Sequence, residues 1–390
     1  MKFYCCRFNE SKADCATMTT KVTEASLAER LGDNYEVTCR RVGLTPEEKV
    51  CDYLETGKCF QLCLFDCMDG PKTAALVAAI LGQADPAAAA APAASSGAAK
   101  EDDEGSGDDA LLPVTGIETL RIWGSDLADE GGGAIGALLS FRPFQRSGGL
   151  TMLDLMDCNL GKLGCFALGN ALAFEGNQTL TQLRLDFNRS MSTEGASALL
   201  LGLRSNWFIT DLSLKACDIG EAAADTVKQM LQNKRGSLAS LDLEANQLGS
   251  YGLLKIAEGL MENVKLLELK FSHNGVGTLQ QRTTHSGKIE ASLVGPHDAA
   301  AFATLNAMLL KNATLEILEL EDSYGDDGIE RLRPSLVGGV GDDAPKANKT
   351  LAKFKPDPNI AAYSKFSRDG GGGKKKKKAG GKKKKKKKKK

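Results

Sequence analysis

Residues 238–252 read LASLDLEANQLGSYG, placing Leu238, Leu241 and Leu243 in an L-x-x-L-x-L frame with Asn246 three residues behind the last of them. Alternation between Leu241 and Leu243 is the period of a strand, whose successive side chains point to opposite faces. The frame recurs from Ile117, Leu150, Leu180, Ile209, Leu266 and Leu315, so successive starts lie 33, 30, 29, 29, 28 and 49 residues apart. Self-similarity at such a period marks a solenoid of stacked units, none of which buries its apolar face alone.

Three residues after the third apolar position stand Cys158, Asn188, Cys217, Asn246 and Asn274, with Ser125 and Ser323 in the outer copies. Side chains of these types hydrogen-bond a turning backbone. The remainder of each unit, as in GCFALGNALAF, EGASALLLGL and GLLKIAEGLM, has apolar residues at three- and four-residue spacing and reads as helix. Each unit is therefore strand, turn, helix and return loop. Cys59, Leu62, Leu64 and Cys67 fit the same frame, with KTAALVAAIL as the helix. TPEEKVCDYLETG predicts a helix begun by a capping box of Thr45 and Glu48 and stopped at Gly57.

The expected layout is an N-terminal segment and cap at 1–58, a divergent first repeat at 59–82 and a disordered Ala/Pro/acidic insertion at 83–112. The main array follows at 113–340, with an inserted loop at 277–298, a C-terminal cap around Leu351 and Phe354 at 341–367, and a disordered lysine tail at 368–390.

With LTQLRLDFN, EGASALLLGL and NATLEILEL, the chain resembles the ribonuclease-inhibitor-like class of leucine-rich repeats, which includes Ran GTPase-activating protein and the sensor regions of NOD-like receptors. That resemblance implies an α/β leucine-rich-repeat solenoid, a horseshoe with a parallel β-sheet on its concave face and helices on its convex face. It also implies a binding surface rather than an enzyme. The Ran-type member offers an alternative, a GTPase activator acting on a small GTPase. Its functional turn corresponds to CMDGPKTAAL, where Cys67 stands for the family asparagine, Gly70 is kept, and the arginine position falls at Ala75 with Lys72 nearby.

Between the inward leucines, one concave column reads Arg121, Asp154, Arg184, Ser213, Asp242, Lys270 and Glu319; the next reads Trp123, Met156, Asp186, Lys215, Glu244, Ser272 and Glu321. Trp123, Met156 and Phe187, at or beside the second column, form either an interface strip or a set packed on the cap or on one another. Arg184, Lys215, Asp242, Glu244, Glu319, Glu321 and Asp322 complete the candidate protein-binding residues, and acid predominates toward the C-terminal end, where a basic partner would be steered.

Gly131–Gly136 satisfies G-x-G-x-x-G with Asp157 further on, but the stretch aligns with TEGASALLLGL two repeats later, so it reads as a turn-to-helix junction and not a dinucleotide site. Cys59, Cys63 and Cys67 are four apart without a histidine nearby; two belong to the core frame and one faces the other way. His273, His285 and His297 sit in or beside the second insertion as loop residues. No catalytic residue, cofactor or metal is expected.

The net charge of zero hides a division. Fourteen of the 50 basic residues are the lysines from Lys374 to Lys378 and from Lys382 to Lys390, which leaves 36 basic against 50 acidic residues elsewhere. Such a tail attracts nucleic acid without sequence preference, an anionic membrane or an acidic protein, and it is a candidate for holding to the body's own acidic surface. The start MKFYCCRFNE has no apolar core, no stretch approaches membrane-spanning length, and the 11 cysteines are odd in number. A monomer in the cytoplasm, the nucleus or both is expected, with reduced thiols and with sequons such as Asn177 and Asn312 left bare.

Overall fold

The computed structural model describes residues 23–83, 111–173, 176–277, 279–283, 289–293, 296–320 and 353–356. The acidic insertion, His285, Glu321, Asp322 and the tail lysines lie outside the described residues.

Chain order runs α1 (Glu24–Arg41), α2 (Glu48–Glu55), β1 (Gln61–Phe65), α3 (Gly70–Leu81), β2 (Thr119–Trp123), α4 (Ala128–Ser140), α5 (Arg142–Arg146), β3 (Met152–Asp154), α6 (Lys162–Leu172) and β4 (Gln182–Arg184). It continues with α7 (Ser192–Leu203), β5 (Asp211–Ser213), α8 (Ala224–Leu231), β6 (Ser240–Asp242), α9 (Gly249–Leu260), β7 (Glu268–Lys270), β8 (Leu279–Thr283), β9 (Ile289–Leu293), α10 (Asp298–Lys311), β10 (Ile317–Leu320) and β11 (Lys353–Pro356).

Nine strands form one parallel sheet in the order β1-β2-β3-β4-β5-β6-β7-β10-β11. Its register is the leucine frame made physical: Leu62, Leu120, Leu153, Leu183, Leu212, Leu241, Leu269, Leu318 and Phe354 stand opposite one another from strand to strand. Those leucines are buried with Leu155, Leu185, Leu214 and Leu243 in a continuous core. Strands sit about 4.8 Å apart and packed helices about 8–10 Å apart, so a strand–helix unit repeated this way bends with the sheet inside. The fold is an α/β leucine-rich-repeat solenoid.

Neither insertion breaks the sheet. β1 pairs directly with β2, and β7 with β10, although long segments separate them in sequence. At the first insertion, Gly82 adopts φ 67° as the chain leaves α3, and a Cβ there would lie 2.5 Å from the Pro113 nitrogen. Val114 N donates to Ile80 O at 2.8 Å, and the Asn34 amide of α1 donates to both Ala79 O and Leu112 O at 2.9 Å. Gln83, Leu111 and Leu112 are thus ordered parts of the array. The second insertion, the inserted loop at 277–298, holds an antiparallel hairpin of β8 and β9.

Sequence reading missed α1 and misplaced the start of α2. The cap of α1 is Thr23 with Ser26, whose backbone and hydroxyl groups bond reciprocally. Thr45 caps nothing: α2 begins after Glu47 without a side-chain cap. Together these helices close the sheet edge. Lys49 Nζ donates to Phe65 O and Asp66 O at 3.2 and 3.1 Å, Tyr53 donates to Gln61 O, and the Glu24 carboxylate accepts from Cys59 N and Phe60 N. An unpaired β1 edge would otherwise invite pairing with another chain.

The glycines of Gly131–Gly136 lie inside α4, not at its junction. A Cβ on Gly132 would stand 2.7 Å from Gly164 Cα of α6. Gly132 and Gly136 serve the close approach of α6, while Gly133 faces open space.

Candidate functional site

Strands β1 to β7 each end in a turn whose geometry repeats. Asp66, Gly124, Asp157, Phe187, Ala216, Ala245 and His273 are left-handed, with φ between 50° and 64°. Immediately after them come Cys67, Ser125, Cys158, Asn188, Cys217, Asn246 and Asn274. Asn188 Oδ1 accepts from Cys158 N and Leu160 N, while its amide donates to Leu155 O and Leu185 O. Asn246 does the same for Cys217, Ile219, Leu214 and Leu243. Cysteine reaches back as a donor instead, Cys158 Sγ to Ile122 O and Cys217 Sγ to Leu185 O. The turn that presents side chains at the mouth of the sheet is therefore locked from one unit to the next.

Six of these seven left-handed residues carry a Cβ and share the strain of that region, and Phe187 is the large apolar side chain among them. A bulky side chain there costs about 1–2 kcal/mol relative to the right-handed region, and this one is 42% exposed. With Met156, Asp157, Asn159, Arg189 and Ser190 it lines an open groove of about 580 Å³ between the third and fourth turns. Trp123 continues the strip, its ring packed edge-on against Phe65 at 5.1 Å. Phe65, opposite Trp123 in the β1–β2 register and itself exposed, belongs to the same strip. The reading from sequence left it out because it was anchored on the inward Leu64.

Among the charged candidates, Arg184 is exposed on β4, and Asp154, opposite it on β3, is buried. Burial pushes the Asp154 carboxyl above the usual aspartate range, against the Trp123 indole and the Arg184 and Arg121 guanidinium groups. Burial also raises Asp242, opposed by the Glu244 backbone N–H and by Lys270. For Lys270 burial acts downward, but Glu268 and Asp242 outweigh it and the ammonium is raised. Lys215 and Glu244 are bonded to each other at 2.9 Å, and His273 lies 3.9 Å from Glu244. Asp186 accepts from Ser213 Oγ and Lys215 N. Glu319 stands opposite Lys270 on β10. Ser272, assigned to the exposed column, is buried.

The remaining sequence signals find structural homes. Cys59 is in the core, its thiol pushed up to about 11 by burial, while Cys63 and Cys67 are half-buried. Burial pushes Cys158, Cys165 and Cys217 up to about 12. Among the described residues no group of three His, Cys, Asp or Glu side chains is placed to hold a metal ion. His297, expected as a solvated loop residue, packs its ring on Tyr251 at 4.9 Å. Ala75 is fully buried in α3, and Lys72 is bonded to Glu47 at 2.5 Å, a contact that raises its ammonium pKa.

A second asparagine series was missed altogether. Asn177, Asn206, Asn263 and Asn312 lie three residues before the first apolar position of their units. Each accepts from the two backbone N–H groups that lead into the strand and donates to a carbonyl one unit back. The repeated NQTL, NWFI, NVKL and NATL were the available signal. Asn177 and Asn312 are buried.

Comparison with known proteins agrees with this geometry. A family model described as Leucine Rich repeat matches residues 176–200. Pig (Sus scrofa) ribonuclease inhibitor is 33% identical over 225 residues, covering 48% of this chain and 48% of its own. Human (Homo sapiens) NACHT, LRR and PYD domains-containing protein 5 is 34% identical over 119 residues, 30% of this chain and 10% of its own. The match thus takes in less than half the length of these relatives. A tropomodulin C-terminal domain from Caenorhabditis elegans superposes with a TM-score of 0.33 at 12% identity, covering 54% of this chain and 98% of that one.

Proposed function

Because the chain is a leucine-rich-repeat protein related to ribonuclease inhibitor and to the repeat regions of NACHT, LRR and PYD proteins, we propose that it is a non-catalytic scaffold taking a protein partner on its concave face. Phe65, Trp123, Met156 and Phe187 form the docking strip. Arg184, Lys215, Asp242, Glu244 and Glu319 flank it, and the lysine tail supplies electrostatic attraction to an acidic surface. The observation that carries this reading is Phe187, a bulky, exposed aromatic at a position where glycine or asparagine would relieve the backbone. The left-handed backbone is common to seven turns, so the mark of this one is the exposed aromatic lining an open groove. Aromatic and methionine side chains with arginine nearby are also the residue types in which interface energy concentrates.

The test is Phe187→Gly in the full chain. Thermal stability stays level or rises, because the left-handed strain is removed, while capture of the binding partner from cell extract falls about 30-fold, the loss of a ~2 kcal/mol anchor. A partner retained equally by both proteins would move the binding site elsewhere.

A further inference from the structure

The groove between Met156 and Phe187 has a committed occupant within the chain itself. All strands of the main sheet are parallel, so every strand's C-terminal end lies on one rim, and the groove residues sit on that rim just beyond β3 and β4. β11 ends there too, at Pro356. Beyond it the sequence runs DPNIAAYSKFSRD before the glycines and lysines, placing Tyr363 and Phe366 seven and ten residues past the rim, with Lys365 and Arg368 beside them. Five strand spacings separate β11 from β4, about 24 Å at ~4.8 Å each. Ten extended residues span about 33 Å, so Phe366 reaches past β4 to β3 without unpairing β11, while Tyr363, seven residues or about 23 Å out, arrives at β4.

Charge points the same way. Asp66, Asp126, Asp157, Asp186 and Asp218 follow β1 to β5 along this rim. The basic residues of those five turns are Arg189 and Lys215, and Lys215 is already held by Glu244. A strip with an apolar floor and a carboxylate border fits an aromatic segment followed by lysines.

We propose that residues 357–390 dock in cis on this strip, Tyr363 against Phe187, Phe366 over Met156 and the lysines along the aspartate row, so that a partner must displace the chain's own C-terminal segment. The inference rests on the reading of the groove as the docking site.

The experiment places the photo-cross-linker p-benzoylphenylalanine at Ser190 in the full-length chain and maps its products by mass spectrometry. Expected are intramolecular cross-links to residues 357–373, independent of protein concentration. They fall at least tenfold in a Tyr363→Ser/Phe366→Ser double variant and at least fivefold when Lys374 to Lys378 are changed to Glu. Cross-links between two copies, their absence from residues 357–390, or a yield indifferent to the aromatic changes would overturn the proposal. A partner lost by Phe187→Gly without any tail cross-link leaves the binding reading standing and removes this one. A tail cross-link together with partner capture indifferent to Phe187→Gly removes the docking reading and, with it, the displacement proposed here.

Discussion

Asn188 satisfies four backbone groups with one side chain, two N–H donors and two carbonyls drawn from adjacent units. Asn188→Ala strands Cys158 N, Leu160 N and Leu155 O in a buried turn, Leu185 O keeping the Cys217 thiol, and each unsatisfied group costs about 1–3 kcal/mol before relaxation. A loss of about 3 kcal/mol is expected in urea denaturation; a loss below 1 kcal/mol would mean water enters the turn. Asp242 is a residue-scale liability of the opposite kind. Its folded-state pKa lies above the unfolded one, so the folded protein binds a proton that the unfolded chain has released. Stability is therefore lost as pH rises from the ordinary aspartate value through the raised one, and it stays lower above. Asp242→Asn keeps an acceptor for Glu244 N and is expected to raise the urea midpoint at pH 7, with the gain shrinking toward pH 3. The inward leucines and the first Asn/Cys series were legible because they share a fixed offset from an alternating run. The second asparagine series has an equally fixed offset but precedes the run, among loop residues that carry no period of their own.

Helix spacing is set by absent side chains. Gly132 against Gly164, and Gly136 against Ala167, bring α4 and α6 together at backbone distance. Gly132→Leu forces the helices apart or drives a side chain into Leu160, a clash costing about 3 kcal/mol; thermal melting checks it, and an unchanged Tm would show that this pair of units slides freely. From sequence the same glycines invited a dinucleotide-binding reading, against which stood their alignment with a later repeat and the lack of a Rossmann unit. Helix α1 escaped notice for a different reason. Leu27, Leu31, Tyr35 and Cys39 carry a clear three-to-four period, but no copy of α1 recurs, and a search tuned to repeats has nothing to align it with. The β8–β9 hairpin was hidden by polar composition, since pairing in LQQRT and IEASL depends on a partner strand more than on apolar alternation.

Across the whole molecule, parallel strands sort the two sides of the sheet into different trades. Turns at the C-terminal ends carry the groove, Phe187 and the aspartate row; the opposite side carries the asparagines that return each helix to the next strand. Sequence established which residues face inward, because burial of leucine is periodic and non-directional. It did not establish which concave residues remain available. Lys215 and Glu244 neutralise each other, and Asp154 is submerged between two arginine-bearing strands. Such pairings depend on the stagger between strands, which one-dimensional spacing does not contain.

At Gly82 and Val114 the chain departs from and rejoins the array at adjacent points, with Asn34 clasping both sides. The junction is a seam: the segment crossing it can lengthen, shorten or host a foreign domain, while β1 and β2 remain neighbours. Closing a longer loop there costs only about 0.6 kcal/mol per doubling. Evolution or an engineer can therefore rewrite residues 84–110 with little effect on the geometry of the recognition surface.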